Sequence, residues 1–167
     1  MSPPEREGVR VRPARREDWR RMVELQRELA RFERMEPPDD AEAERVGAML
    51  FDAKKIEAFV AERVGVIEGI AIFWEGLGSS FRARPFLFLE DLVVAEAARS
   101  GGVGEALMGA LAREGVARGA VRIDWFVLDW NVNAMRFYRR LGGEPATDWV
   151  RYSLDEKGMQ RLAGSPA

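Results

Sequence analysis

The chain has 167 residues, 47% hydrophobic and 32% charged, with a formal net charge of −2; this suits one globular domain with a real core and argues against a nucleic-acid binder held by a basic field. No apolar run resembles a signal peptide or is long enough to cross a membrane, so the expected location is the cytoplasm. Cysteine and histidine are both absent, which removes disulfides, thiolate nucleophiles, Cys/His metal sites and histidine bases, and leaves Glu, Asp, Tyr, Lys or water to move protons.

Residues 1–8 read as a mobile terminus. Residues 9–12 alternate as a first strand that Pro13 ends. Asp18 is placed to cap a helix whose apolar stripe is Met22, Leu25, Leu29 and Phe32. Pro37 and Pro38 break the chain, and Asp39-Asp40 starts a second helix to about Phe51. Residues 56–62 and 66–74 read as strands joined by a tight turn near Gly65, a hairpin, and residues 76–84 as a loop. Residues 86–94, Phe-Leu-Phe-Leu-Glu-Asp-Leu-Val-Val, form a short apolar run bounded by a polar turn, as a buried strand does. Helical spacing follows, with Val103, Ala106, Leu107, Ala110 and Leu111 on one face.

Residues 121–128 read as another strand, with Val121, Ile123, Trp125 and Val127 alternating against Arg122 and Asp124. Asn131 or Asn133 caps a helix that ends near Leu141, where Gly142-Gly143 provides a stop. Residues 149–154 are expected as a last strand. Asp155 opens a short amphipathic tail around Met159 and Leu162, with residues 163–167 as a flexible end. The order implies an α/β chain, a mixed sheet covered by helices.

Between the strand of residues 86–94 and the helix after it stands Arg99-Ser-Gly-Gly102-Val-Gly104. Missing Cβ atoms let a ligand approach the backbone, and the first helical N–H groups, lacking intrahelical acceptors, favour an anion such as a pyrophosphate. The spacing is neither that of a P-loop nor that of the six-residue dinucleotide fingerprint. A loop that merely turns a strand into a helix carries glycines too.

The same loop, preceded by Leu89-Glu-Asp-Leu-Val-Val94 and followed by Trp130-Asn131 and Asn133-Ala-Met-Arg-Phe-Tyr138-Arg-Arg-Leu-Gly142, resembles the acyl-CoA-binding motifs of the GNAT N-acetyltransferases. Within them the likeness is to the diamine (spermidine/spermine) acetyltransferases. Residues 11–18, 29–36 and 150–154 also look similar, so the resemblance spans almost the whole chain. It implies a single domain over residues 1–167 with a central, mostly antiparallel mixed sheet flanked by helices. It also implies acetyl-CoA as co-substrate without a metal, a small amine as acceptor, and a homodimer.

The site residues follow from that resemblance. Amides and side chains of Arg99, Ser100, Gly101, Gly102, Val103, Gly104 and Glu105 are expected to cradle the carrier's phosphates. Backbone of Leu92, Val93 and Val94 is expected to receive its pantetheine arm, with an oxyanion donor near Val94. Tyr138 matches the tyrosine that presents its hydroxyl to the carrier sulfur; on the structural side, Ala134, Tyr138 and Leu141 share a helical face and the ring could simply be core. Asn131 is expected to touch the carrier or the loop, and is equally at home as a helix cap.

Glu90 matches the carboxylate that deprotonates the amine, and Asp91 is its rival, because adjacent strand residues face opposite ways. A structural ion pair would explain either acid. Phe32, Glu33 and Glu36, with Asp39 and Asp40, offer an acidic groove for a polyamine, although such a cluster is commonly a solvated helix start. Phe81-Arg82-Ala-Arg84 departs from the diamine enzymes. Two arginines there would repel a polycation and admit a lysine-like or thialysine-like substrate. The open alternatives are the same chemistry on an amino-acid or protein lysine amine, and a non-catalytic module that only binds acyl-CoA.

Overall fold

A computed structural model describes residues 8–77, 83–148 and 150–164. Contacts divide the chain into two compact units, Met1–Phe126 and Val127–Ala167. The first carries a five-stranded sheet in the order β1-β2-β3-β4-β5: Arg10–Pro13, Glu57–Arg63, Val66–Leu77, Pro85–Val94 and Ile123–Trp125. The first four strands pair antiparallel, and β5 lies parallel to β4. The mixed, mostly antiparallel sheet expected from the sequence is present. The predicted β2–β3 turn closes at Val64 and Gly65, whose φ values are +50° and +78°; the glycine accepts that left-handed conformation without a Cβ penalty.

Alternation along the strands produces two cores. On one face Ala58, Val60, Ile70, Ile72 and Val93 pack with Met22, Leu25 and Leu50, from α1 (Trp19–Phe32) and α2 (Asp40–Phe51). On the other, Ala61, Ala71, Phe73, Leu87 and Leu89 pack with Val103, Leu107 and Leu111 of α3 (Val103–Ala117). The predicted stripe of α3 is the one buried, with Ala106 packed at its margin.

The second core brings α3 unusually close to β3 at Gly69. A Cβ built there would lie 2.8 Å from the Val103 side chain and 2.9 Å from the Val93 carbonyl oxygen. Gly69→Val is therefore expected to cost about 1–3 kcal/mol by overpacking and to displace the first turn of α3. A drop in melting temperature checks the first effect, and faster amide exchange in the first turn of α3 the second.

At the far end of α3, Arg118 reaches Glu57 of β2 at 2.6 Å through both terminal nitrogens, bonds Glu114 at 2.8 Å and lies 5.8 Å from the Phe73 ring centre. These contacts fasten the helix across β2 and β3.

Several expectations change in detail. Asp18 stands at the start of α1 but does not cap it through its side chain; the buried carboxylate instead accepts Arg12 at 2.7 and 2.9 Å and the Arg15 N–H at 2.7 Å. Those bonds, led by the Arg12 guanidinium, hold its carboxyl below the usual range. Strand β3 runs on to Leu77 rather than ending at Trp74. β5 has three residues, not the eight the alternation predicted, because only Leu87, Phe88 and Leu89 of β4 pair with it.

In the second unit α4 spans Val132–Arg140 and α5 Glu156–Gly164. Residues 150–154 form no strand; Trp149, where that strand was expected to begin, lies outside the described residues. Of the expected flexible ends, residues 1–7 and 165–167 also lie outside them, while Ala163 and Gly164 belong to α5. No helix among the described residues is long and apolar enough to cross a membrane.

Candidate functional site

The register between β3 and β4 slips by one residue: Ile72 pairs with Asp91 and Phe73 with Leu89, leaving Glu90 opposite nothing. This is a β-bulge. Its consequence overturns the alternation argument that set Glu90 against Asp91. Phe88 pairs with Trp74 on the α1–α2 face, Glu90 follows two residues later, and Asp91 pairs with Ile72 on that same face. Both carboxylates therefore open on one side of the sheet.

That side holds a cleft of about 290 Å³ lined by Gln26, Val46, Met49, Ile56, Ile72, Trp74, Glu90 and Asp91. Each acid has one neutral donor. The Trp74 indole N–H donates to Glu90 Oε2 and the Gln26 amide to Asp91 Oδ2, both at 3.2 Å. Trp74 is itself fixed by stacking on Phe88, with ring centres 5.2 Å apart. Burial pushes the Asp91 carboxyl up, the Glu90 charge adds to the rise, and the Gln26 hydrogen bond opposes it. Half-buried Glu33, at the end of α1, is raised by its own burial and then by the Asp91 charge. The described groups acting on this corner are thus carboxylates in an apolar wall, an arrangement that attracts a cationic ligand and disfavours keeping every acid ionised without one.

Of the other residues of the predicted acidic groove, two are engaged at the start of α2. Asp39 caps α2 through the Glu42 N–H, with Glu42 returning the bond, and Asp40 pairs with Arg27. These two are helix-start residues. Glu36 is exposed. Phe32, 43% exposed, carries the Arg99 guanidinium 5.5 Å from its ring centre, so the end of α1 meets the glycine loop. Phe81 and Arg82 lie outside the described residues; Arg84 donates to the Gly119 carbonyl at 3.0 Å.

The loop itself begins with a single 3-10 turn at Glu96–Ala98. The Arg99 and Gly101 N–H groups are committed to that turn, donating to the Glu96 and Ala98 carbonyls at 3.3 Å. Donors toward a ligand therefore concentrate further on, in the first turn of α3. Ser100 and Gly102 adopt φ of +65° and +80°, which turns the chain sharply into the helix. A Cβ on Gly101 would come within 3.1 Å of the Ala98 oxygen and of Arg63. Arg63, paired with Glu68 at 3.2 Å, donates to the Gly101 carbonyl at 2.9 Å and braces the loop from β2.

This cradle fits an acyl carrier's pyrophosphate: backbone turned toward a helix start, with Val103, Gly104 and Glu105 in the first turn and Arg99 exposed beside them. A further feature suits the carrier's arm. The β4–β5 ladder stops at Leu89, whereas β4 continues through Leu92 and Val93 to Val94. Leu92 and Val94 turn their side chains to the α3 core and Val93 to the α1 core, so any role in binding falls to their backbone. Among the described residues no cluster of three or more acids is arranged to hold a metal ion.

In the second unit, Asn131 Oδ1 accepts the Ala134 N–H at 3.1 Å, which settles Asn131 rather than Asn133 as the cap of α4. Tyr138 is half-buried on that helix, its ring 5.1 Å from Phe137, and its carbonyl accepts the Leu141 and Gly143 N–H groups at 3.0 Å.

Gln26 and Trp74 are absent from the expectations drawn from sequence. For Gln26 the signal was present. It stands on the stripe of Met22, Leu25 and Leu29, where a polar side chain needs a partner. For Trp74 only the register supplied one.

Comparison with known proteins bears on the whole arrangement. The chain is 34% identical over 108 residues to an L-ornithine N5-acetyltransferase of Arabidopsis thaliana, covering 64% of this chain and 47% of that protein. It is 28% identical over 168 residues to a thialysine N-epsilon-acetyltransferase of Mus musculus, covering 94% and 98%. Among solved structures, an integron cassette protein of V. cholerae shares the fold with a TM-score of 0.79 at 20% identity, over 95% of this chain and 99% of that one. A ribosomal-protein-alanine N-acetyltransferase of Brucella melitensis does so with a TM-score of 0.70 at 22% identity, over 88% and 98%. The Acetyltransferase (GNAT) family profile matches residues 19–143. Sheet order, glycine loop and this match agree, and the chain belongs to the GNAT acetyltransferase family.

Proposed function

We propose that this acetyltransferase uses acetyl-CoA to acetylate a primary amine on a small aliphatic molecule that carries a second amino group. The observation that carries the reading is the bulge that turns Glu90 and Asp91 into one cleft. Two acids there suit a cation with two amino groups better than a neutral or anionic acceptor. Diamines and polyamines have that chemistry. So do ornithine and thialysine, the compounds named for the similar acetyltransferases.

Acetyl-CoA supplies an activated acetyl thioester. The chain's own residues do the rest. The Arg99 side chain and the backbone N–H groups from Gly102 to Glu105 hold the phosphates, Ser100 and Gly101 shape the turn that presents them, and Leu92 to Val94 offer backbone to the arm. The Val94 N–H is the donor assigned to the developing oxyanion, a role worth roughly 2–4 kcal/mol where water is excluded. Glu90 and Asp91 bind the incoming ammonium, with Glu33 and Phe32 at the margin, and share its proton as it is lost. Tyr138 holds the proton that the departing thiolate requires, and Asn131 orders the start of its helix. Residues 1–167 work as one domain, within a cytoplasmic C₂ homodimer.

The experiment is CoA release from acetyl-CoA with putrescine, spermidine, ornithine, thialysine, lysine and a basic peptide. Turnover is expected on small acceptors with two amino groups and not on the peptide. Preference for putrescine and spermidine selects the diamine reading, and preference for ornithine and thialysine the amino-acid one. No turnover, with acetyl-CoA still raising the melting temperature, would replace the enzyme reading with a carrier-binding module.

A further inference from the structure

Asp91 is the deeper of the two acids, and its surroundings do little to keep it ionised. On its own strand stands Glu90, and just past the end of α1 stands Glu33, both carboxylates. The neighbours on β3 and α2 that line the same cleft, Ile72, Trp74, Val46 and Met49, carry no charge. One group works the other way. The Gln26 side-chain amide, delivered by α1 from 65 residues away in sequence, donates to Asp91 Oδ2 at 3.2 Å.

Gln26 is held in place by its neighbours on the helix. Met22 and Leu25 are fully buried in the α1 core, so α1 cannot slide or rotate without breaking that packing. The amide is consequently presented from a rigid element to a carboxylate fixed in a β-bulge. A neutral donor in this position has two effects. It fixes the orientation of the carboxylate that lines the cleft, and it stabilises the anion without adding a cation that would repel an ammonium substrate. An arginine or lysine would hold Asp91 more firmly, at the cost of the charge the acceptor is attracted to.

We infer that Gln26 is a positioning residue of the acceptor site, which aims the Asp91 carboxylate into the cleft and keeps it able to take the amine's proton near neutral pH. This deepens the proposed function and rests on it for the identity of the proton donor. The bond between Gln26 and Asp91 does not depend on that reading, so the test has an arm that needs no turnover.

Two variants separate position from mere packing. Gln26→Met keeps the length and removes the donor. Gln26→Glu keeps the shape and replaces the donor with a fourth carboxylate beside Asp91, Glu90 and Glu33. In substrate-free protein, carboxyl ¹³C titration of Asp91 is expected to move upward in Gln26→Met and further upward in Gln26→Glu. The acid limb of the kcat/KM profile should move in the same order, with kcat/KM near neutral pH falling on the order of tenfold in Gln26→Met, the loss expected for one hydrogen bond to a charged group. An Asp91 titration that stays where it is in both folded variants, as judged by unchanged melting temperature, overturns the inference. So does a pH profile that keeps its shape while only the rate falls. If wild-type protein turns over no amine, the proposed function fails, and the titration arm still decides whether Gln26 governs Asp91.

Discussion

Replacing the two cleft acids together, Glu90→Gln with Asp91→Asn, is expected to lower kcat/KM by on the order of 10³, within the range of positioned proton transfer, while acetyl-CoA binding stays unchanged. The acids stand on β4 before the glycine loop, with their hydrogen bonds going to Trp74 and Gln26, so the carrier's affinity is the internal control. A single substitution should cost less than half of the combined loss in logarithmic terms, because the bulge leaves the second acid facing the same cleft and able to stand in. Equal losses from Glu90→Gln alone and from the pair would assign the chemistry to Glu90 and leave Asp91 with binding.

The pH dependence has a definite sign. Burial first, and then the Glu90 charge, raise the Asp91 carboxyl. On the proposed role of Asp91 in taking the amine's proton, kcat/KM falls as pH drops through the raised value. Glu90→Gln removes a like charge and should carry that limb downward. Stability runs the opposite way. A carboxyl raised by folding contributes stability below its unfolded value that is lost as pH rises through its folded value. Above it the ionised acid is a cost, which Asp91→Asn relieves. The variant should therefore melt higher at neutral pH than wild type even as it loses rate, a comparison that one thermal scan makes.

Tyr138→Phe is the second large effect. If the hydroxyl protonates the departing thiolate, kcat falls on the order of a hundredfold or more, with KM for the amine and binding of acetyl-CoA little changed. Loss of a purely structural hydroxyl would instead lower the melting temperature and leave kcat within a few-fold. The backbone of α4 takes no part in the outcome, since the Tyr138 carbonyl keeps its bonds from Leu141 and Gly143 whatever the ring carries. A variant with unchanged kcat would remove Tyr138 from the chemistry and leave water as the acid.

Much of this was legible in the residues. Short apolar runs and the turn signals between them placed four strands to within a few positions, because strands covered on both faces are apolar throughout and end where polar turn residues begin. Val103, Leu107 and Leu111 announced the inner face of α3, and Asp39 the start of α2, because stripe and cap are local features written at helical spacing. The same locality explains what misled. Alternation carried β5 too far, since a strand ends where its neighbour stops pairing, and here β4 pairs only through Leu89. Asp18 has the residue type of a cap, yet Arg12, on a different element, binds it more strongly than the helix start does.

By itself, then, the sequence determined the family, the glycine loop and the layers of the fold, all of which rest on motifs and periods that neighbouring residues set between themselves. The tertiary structure decided the acceptor corner. Whether Glu90 and Asp91 oppose or accompany one another depends on a one-residue slip against β3, and their donors arrive from Trp74 and from Gln26 on a helix far away in sequence. Register and long-range contact are fixed by the packing of two cores against one sheet, and no local pattern records them.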